Sequence, residues 1–190
     1  MWNNVAERTA QWVAFYLEGL LRWEPTDSRP PDGGMRPWPT PTPRFMSMLS
    51  LPCQGRQNLI RPEHKNELQK YMTGIVIREK QKLIAINNMP DHFHILIGLK
   101  PTMALSELVG DIKSGSSGFI NDRRWAPGKF AWQEGFGAFS YSHSQLTTVI
   151  RYIQNQEKHH TRKSFQAEYL ELLEKFNVPY DERYIFKPIE

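Results

Sequence analysis

The chain has 190 residues, 24 basic and 20 acidic side chains, a formal charge of +4 and one cysteine. That length suits a single domain with an appendage, and the lone Cys53 rules out an internal disulfide and fits a reducing, cytoplasmic compartment. The small basic excess permits an anionic partner such as nucleic acid. The apolar run 12–21, broken by Glu18 and lacking a basic leader, is too short for a membrane span or an export signal.

In chain order, residues 1–53 have their own composition. They contain no lysine, five arginines balanced by five acids, eight of the fourteen prolines and four of the six tryptophans. Residues 5–23 carry a loose helical pattern, and residues 24–43 are dense in proline and glycine, a segment with too little buriable surface to offset its ordering entropy. We therefore expect an atypical, poorly ordered extension over 1–44 and one domain over 45–190. The whole net charge falls on residues 54–190, because every lysine lies from Lys65 onward.

Within that domain, residues 45–51 (FMSMLSL) alternate weakly and suit a first strand. Pro62 opens a helix with apolar positions at Leu68, Tyr71, Met72 and Ile75. Residues 82–86 and 92–99 form a hairpin around Asn87-Asn88-Met89-Pro90. A helix follows over 105–120, then a β-segment over 131–142 that Gly135 and Gly137 allow to bend. Ser142 with Gln145 forms a capping box, and Leu146, Val149, Ile150 and Ile153 mark one amphipathic helix running to about His160. A last helix covers 165–176. The order β-α-β-β-α-β predicts an α+β fold, a ferredoxin-like (RRM-like) split β-α-β sandwich with an antiparallel sheet and additional C-terminal helices.

The stretch MPDHFHILIG places two imidazoles in a hydrophobic strand. Side chains alternate between faces, so His92, His94 and Leu96 share one face while Phe93, Ile95 and Ile97 share the other. Roughly 7 Å separates the two histidine Cα atoms on a strand, close enough for both rings to tilt onto one metal ion. The alternative is two histidines on a partly solvated face. Leu96 removes a histidine-triad hydrolase, which needs a third histidine there. On the following helix, Tyr152, Gln156, His159 and His160 form a polar stripe: an assisted tyrosine hydroxyl is a nucleophile, and an amide oxygen four residues on can coordinate a metal. A solvated polar face is the plain alternative for the stripe, and helix-end cations for His159 and His160.

Three stretches, DHFHILIG, the glycine-rich QEGFGAFSYS and VIRYIQNQEKHH, together resemble the single-tyrosine HUH transposases of small bacterial insertion sequences, over about residues 55–186. The first family motif, His-hydrophobic-His, is His92-Phe93-His94; the second, a helical tyrosine with glutamine four residues on, is Tyr152 and Gln156. The resemblance implies a divalent metal ion, magnesium or manganese, held by His92, His94 and Gln156, with Tyr152 as the catalytic nucleophile. It further implies cleavage and rejoining of single-stranded, hairpin-flanked DNA through a 5′-phosphotyrosine bond. A homodimer in which one subunit's tyrosine helix serves the other's histidines, in the bacterial cytoplasm, completes the expectation.

Lys113, Arg123 and Arg124, with neighbouring serines, are candidate DNA contacts, with a solvated helix end as the alternative. Gly115-Ser-Ser-Gly118 resembles a phosphate-gripping loop of KH type. The rival functional readings are a noncatalytic nucleic-acid-binding module and a decayed, inactive transposase on the same fold. Stacking modules on this fold expose aromatic residues, whereas this strand would expose histidines and bury Phe93.

Overall fold

The computed structural model describes residues 44–54, 59–181 and 185. The helix and linker expected over 5–43 lie outside the described residues. Four strands, β1 (Phe45–Pro52), β2 (Lys82–Asn88), β3 (His92–Leu99) and β4 (Gly137–Ser140), form one antiparallel sheet in the order β2-β3-β1-β4. Two helices cross between strands, α1 (Lys65–Arg78), entered through a 3-10 turn at Pro62–His64, and α2 (Leu105–Asp122). Three more follow β4: α3 (Leu146–Gln154), α4 (Gln156–His160) and α5 (Phe165–Lys175). This is the expected ferredoxin-like split β-α-β sandwich with C-terminal helices.

Alternation along β3 builds two cores. Phe93, Ile95, Ile97 and Leu99 join Leu49 and Leu51 of β1 against Leu68, Met72 and Val76 of α1 and Leu108 and Ile112 of α2. On the opposite face Leu96, Met48 and Phe139 meet Val149 and Ile153 of α3 and Leu172 and Leu173 of α5. The sheet is therefore covered on both sides, and every residue of β3 is buried. β1 and β2 flank β3, with His94 opposite Ser50 and Asn87, and Phe93 opposite Leu51 and Asn88. A central strand paired along both edges gives the two histidines a fixed platform.

Three expectations need correction. The β-segment over 131–142 shrinks to Gly137–Ser140, preceded by an isolated bridge from Trp132 to Cys53. The ammonium of Lys113 donates to the carbonyls of Gln133 and Gly135, and Gly135 has φ +73°, so this backbone turns away from ladder geometry. Gly115-Ser-Ser-Gly118 is the interior of α2 and not a loop: a Cβ on Gly115 would sit 2.8 Å from Ile75 Cδ1, and buried Ser116 Oγ accepts from Trp132 Nε1 at 2.9 Å. The stretch is a helix-packing device. Finally, the helix expected to run unbroken to His160 is interrupted at Asn155, whose φ of −97° and ψ of 19° separate α3 from α4. The Ser142 and Gln145 box is present, opening a short 3-10 turn before α3.

Candidate active site

β3 delivers His92 and His94 to the same face, both with 0% exposure. That face is sealed by helices, so the partly solvated alternative does not hold. Asp91 Oδ1 lies 2.7 Å from His92 Nδ1, the arrangement in which Nδ1–H donates to the carboxylate and Nε2 is left bare. Burial pushes the His92 imidazole down to about 4, against the opposing pull of Asp91, so the ring is neutral and its Nε2 lone pair is available. Phe165 of α5 stacks on the ring at 4.2 Å and fixes its plane. The rings of His92 and His94 are 5.1 Å apart.

α3 is pinned on this face by Val149 and Ile153 and by Asn87 Nδ2, which donates to the Ile153 carbonyl at 2.8 Å. Tyr152, adjacent to Ile153, consequently turns toward β3, its ring 5.9 Å from that of His94 in the same chain. Beyond the break, Gln156 is fully buried and its Nε2 lies 3.0 Å from His92 Nε2, while its Oε1 has no hydrogen-bond partner. The sequence stripe thus meets the histidines, although Tyr152 and Gln156 stand on two helices.

Sequence reading missed Glu168, in the first turn of α5, whose N-cap Ser164 accepts from the Ala167 N–H. Glu168 is 5% exposed, with Oε1 accepting the Tyr152 hydroxyl and Oε2 lying 3.1 Å from His94 Nε2, 3.3 Å from His160 Nε2 and 3.8 Å from His92 Nε2. Burial raises its carboxyl, but contacts from His160, His94 and Tyr152 outweigh that and hold it well below the usual carboxylate range. Burial first, and then the Glu168 anion, push the Tyr152 phenol far above its ordinary value. One signal was available: Phe165, Glu168 and Leu172 share the buried stripe of α5, where an unpaired carboxylate is costly.

The ligand atoms of His92, His94 and Glu168 all lie within 4.8 Å of one another. With the unpartnered Gln156 Oε1, which an amide rotation would aim at the same point, they fit a divalent cation: two imidazoles, a carboxylate and an amide oxygen. The DNA candidates stand apart from this cluster. Lys113 is engaged by the 133–135 backbone, whereas Arg123 lies 3.7 Å over the Phe119 ring, with Nε 3.2 Å from Glu67 Oε1. Arg124 is exposed in a left-handed conformation just past α2, in the helical layer behind the other face of the sheet.

Residues 47–156 match the family model described as "Transposase IS200 like". Among solved structures, a candidate transposase from Deinococcus radiodurans R1 aligns at 19% identity over 68% of this chain and 98% of its own, with a TM-score of 0.47. A REP-associated tyrosine transposase, solved bound to a REP hairpin, aligns at 14% identity over 61% of this chain and 68% of its own, with a TM-score of 0.50. The second shares the fold. No curated protein matches the chain. Because the family match spans more than half of its length, from β1 to Gln156, this chain belongs to the IS200-like transposase family. His160 and Glu168 lie beyond the matched segment. Among the described residues, no helix is long and apolar enough to cross a membrane.

Proposed function

We propose that this transposase cleaves and rejoins single-stranded DNA at hairpin-flanked element ends through a phosphotyrosine intermediate, in the bacterial cytoplasm. The observation that carries the reading is the convergence, within one chain, of the Tyr152 hydroxyl, Glu168, both histidines and Gln156. His92, His94, Gln156 and Glu168 would hold magnesium or manganese, which when bound polarises the scissile phosphate and stabilises charge on its oxygens. Tyr152 Oη would attack phosphorus, forming the 5′-phosphotyrosine bond and giving its proton to Glu168, while the bond to the 3′ oxygen breaks and that oxygen takes up a proton in its place, by way of Glu168 or solvent, to leave as a hydroxyl. The phenolic proton points at Glu168, so Oη keeps its lone pairs for phosphorus. Rejoining is the reverse: a 3′-hydroxyl attacks the phosphotyrosine, and the tyrosine oxygen recovers its proton.

A groove of about 570 Å³, lined by Tyr152, His159, His160, Lys163 and Glu168, provides the path for the strand. Arg151 of α3, Lys158 of α4 and Arg162 just beyond α4 are exposed and supply the phosphate contacts nearest the nucleophile, with exposed Arg123 and Arg124 serving more distant DNA while Lys113 is held by the 133–135 backbone. The hairpin bound by the related tyrosine transposase recommends hairpin DNA as substrate. In the homodimer that family resemblance implies, each chain then uses its own tyrosine. A stacking module is disfavoured because the histidine face of the sheet is covered by α3, α4 and α5.

The test is incubation of the full chain with single-stranded hairpin DNA and manganese. A covalent protein–DNA adduct is expected that disappears in Tyr152→Phe, and adduct of equal yield in that variant would remove Tyr152 as nucleophile. Mixing Tyr152→Phe with His94→Ala chains is expected to restore nothing, whereas recovered cleavage would place the tyrosine in the partner's site.

A further inference from the structure

Of the two histidines closing α4, only His159 is exposed; His160 has its side chain 9% exposed and its ring 4.7 Å from that of His92. The helix-end cation reading therefore fails for His160. Its Nδ1 lies 3.0 Å from the Lys163 carbonyl, so Nδ1–H donates outward to backbone and Nε2 faces inward. That nitrogen is buried without a hydrogen-bond partner, 3.3 Å from Glu168 Oε2. A second ring nitrogen tied to a backbone carbonyl is the usual accompaniment of a metal-ligating imidazole, because it fixes the tautomer and aims the free lone pair. His92 shows the same arrangement through Asp91.

Two of the three distances to Glu168 agree, while the ligand atoms that all lie within 4.8 Å of one another are those of His92, His94 and Glu168, so the His160 ring would have to move inward to join them. Donor atoms bound at about 2.1 Å to one ion lie roughly 3.0–3.4 Å from each other. The Nε2 atoms of His94 and His160 stand 3.1 and 3.3 Å from the same carboxylate oxygen, and that of His92 stands 3.8 Å away. An imidazole lone pair turned toward a carboxylate oxygen requires a cation between them, either a proton on that nitrogen or a metal ion, and a metal ion serves the nitrogens of His94 and His160 together.

We propose that His160 is a third imidazole ligand, so that the centre is built from His92, His94, His160 and Glu168 with Gln156 adjoining, and selects a transition metal such as manganese, cobalt or zinc over magnesium. The inference rests on the metal-dependent reading above and deepens it. Three nitrogens and one oxygen are a poor set for magnesium, which demands oxygen donors and near-ideal octahedral geometry. The groove beside Tyr152, which His160 and Glu168 also line, gives the ion a way in.

The experiment is cobalt(II) titration of the full chain without DNA, read by visible absorption and calorimetry, with X-ray absorption fine structure on the loaded wild type to count imidazoles. Expected are three imidazoles, at least a tenfold loss of cobalt affinity with an altered spectrum in His160→Gln, and magnesium binding at least a hundredfold weaker than cobalt. Two imidazoles in wild type, or an unchanged spectrum and affinity in a folded His160→Gln, would leave His160 as a mere counter-ion of Glu168 and overturn the inference. Should His160→Gln not fold, the wild-type imidazole count decides alone. Failure of wild type to bind any of these ions would overturn the metal-dependent function itself, an outcome distinct from a two-imidazole centre.

Discussion

The two faces of β3 differ in what their neighbours ask of them. Phe93, Ile95 and Ile97 meet an apolar layer from α1 and α2, while one residue away in alternation His92 and His94 meet Glu168, Gln156, His160 and Tyr152. Both faces are equally buried. Burial alone thus does not distinguish stability from chemistry; the satisfaction of buried polar atoms does, since one face leaves His94 Nδ1, Gln156 Oε1 and His160 Nε2 unpartnered.

The strongest way to separate the faces is to remove the histidines. His92→Ala and His94→Ala are each expected to reduce adduct formation by a factor of about 10³ or more while the far-UV spectrum and melting transition stay cooperative; full activity in both would dissolve the metal site. The mirror experiment on the apolar face is Phe93→Ala, expected to cost about 3–5 kcal/mol in chemical denaturation because it empties a fully buried ring position. Should that variant lose activity without losing stability, the division between the faces fails.

Acid sharpens the comparison further, because only the histidine face titrates. The folded chain holds His92 neutral down to about 4 against an ordinary 6.5, so between those values the unfolded chain binds a proton that the folded chain refuses. Stability measured without metal should therefore fall by on the order of 2–3 kcal/mol as pH drops from about 6.5 to 4. Glu168, held low, adds loss in the same direction below its ordinary 4.5. His160, raised by Glu168 despite its burial, contributes stability that is lost only as pH rises above 6.5. A flat profile between pH 4 and 6.5 would contradict the buried neutral imidazole. The smallest effect is expected from Asp91→Asn, which keeps the shape but weakens the hold on His92: a roughly tenfold loss of metal affinity, about 1.4 kcal/mol, by calorimetry.

Much of this was legible in the sequence because it depended on period and adjacency. Alternation along residues 92–99 placed both imidazoles on one face, and the Ser142 and Gln145 box marked the start of the tyrosine helix region. What escaped depended on tertiary contact. Glu168 reads as an ordinary first-turn acid unless its place on the buried stripe is weighed, and His160 reads as a helix-end cation until α5 is packed beside it. The break at Asn155 carries no glycine or proline. Its side-chain Nδ2 donates back to the Arg151 carbonyl at 2.8 Å, a local competition with helix hydrogen bonding that residue spacing does not reveal.

The last helix has a practical consequence for anyone trimming this protein. A chain ended at Gln156, where the family match stops, would keep both histidines, the tyrosine and the glutamine yet lose Phe165, Glu168, Leu172 and Leu173. Met48, Leu96 and Phe139 would then keep only Val149 and Ile153 of α3 as buried cover, and the tyrosine hydroxyl would lose Glu168 as its acceptor. The smallest soluble unit therefore extends through Lys175, and a fragment bearing every motif residue is expected to aggregate before it can be assayed.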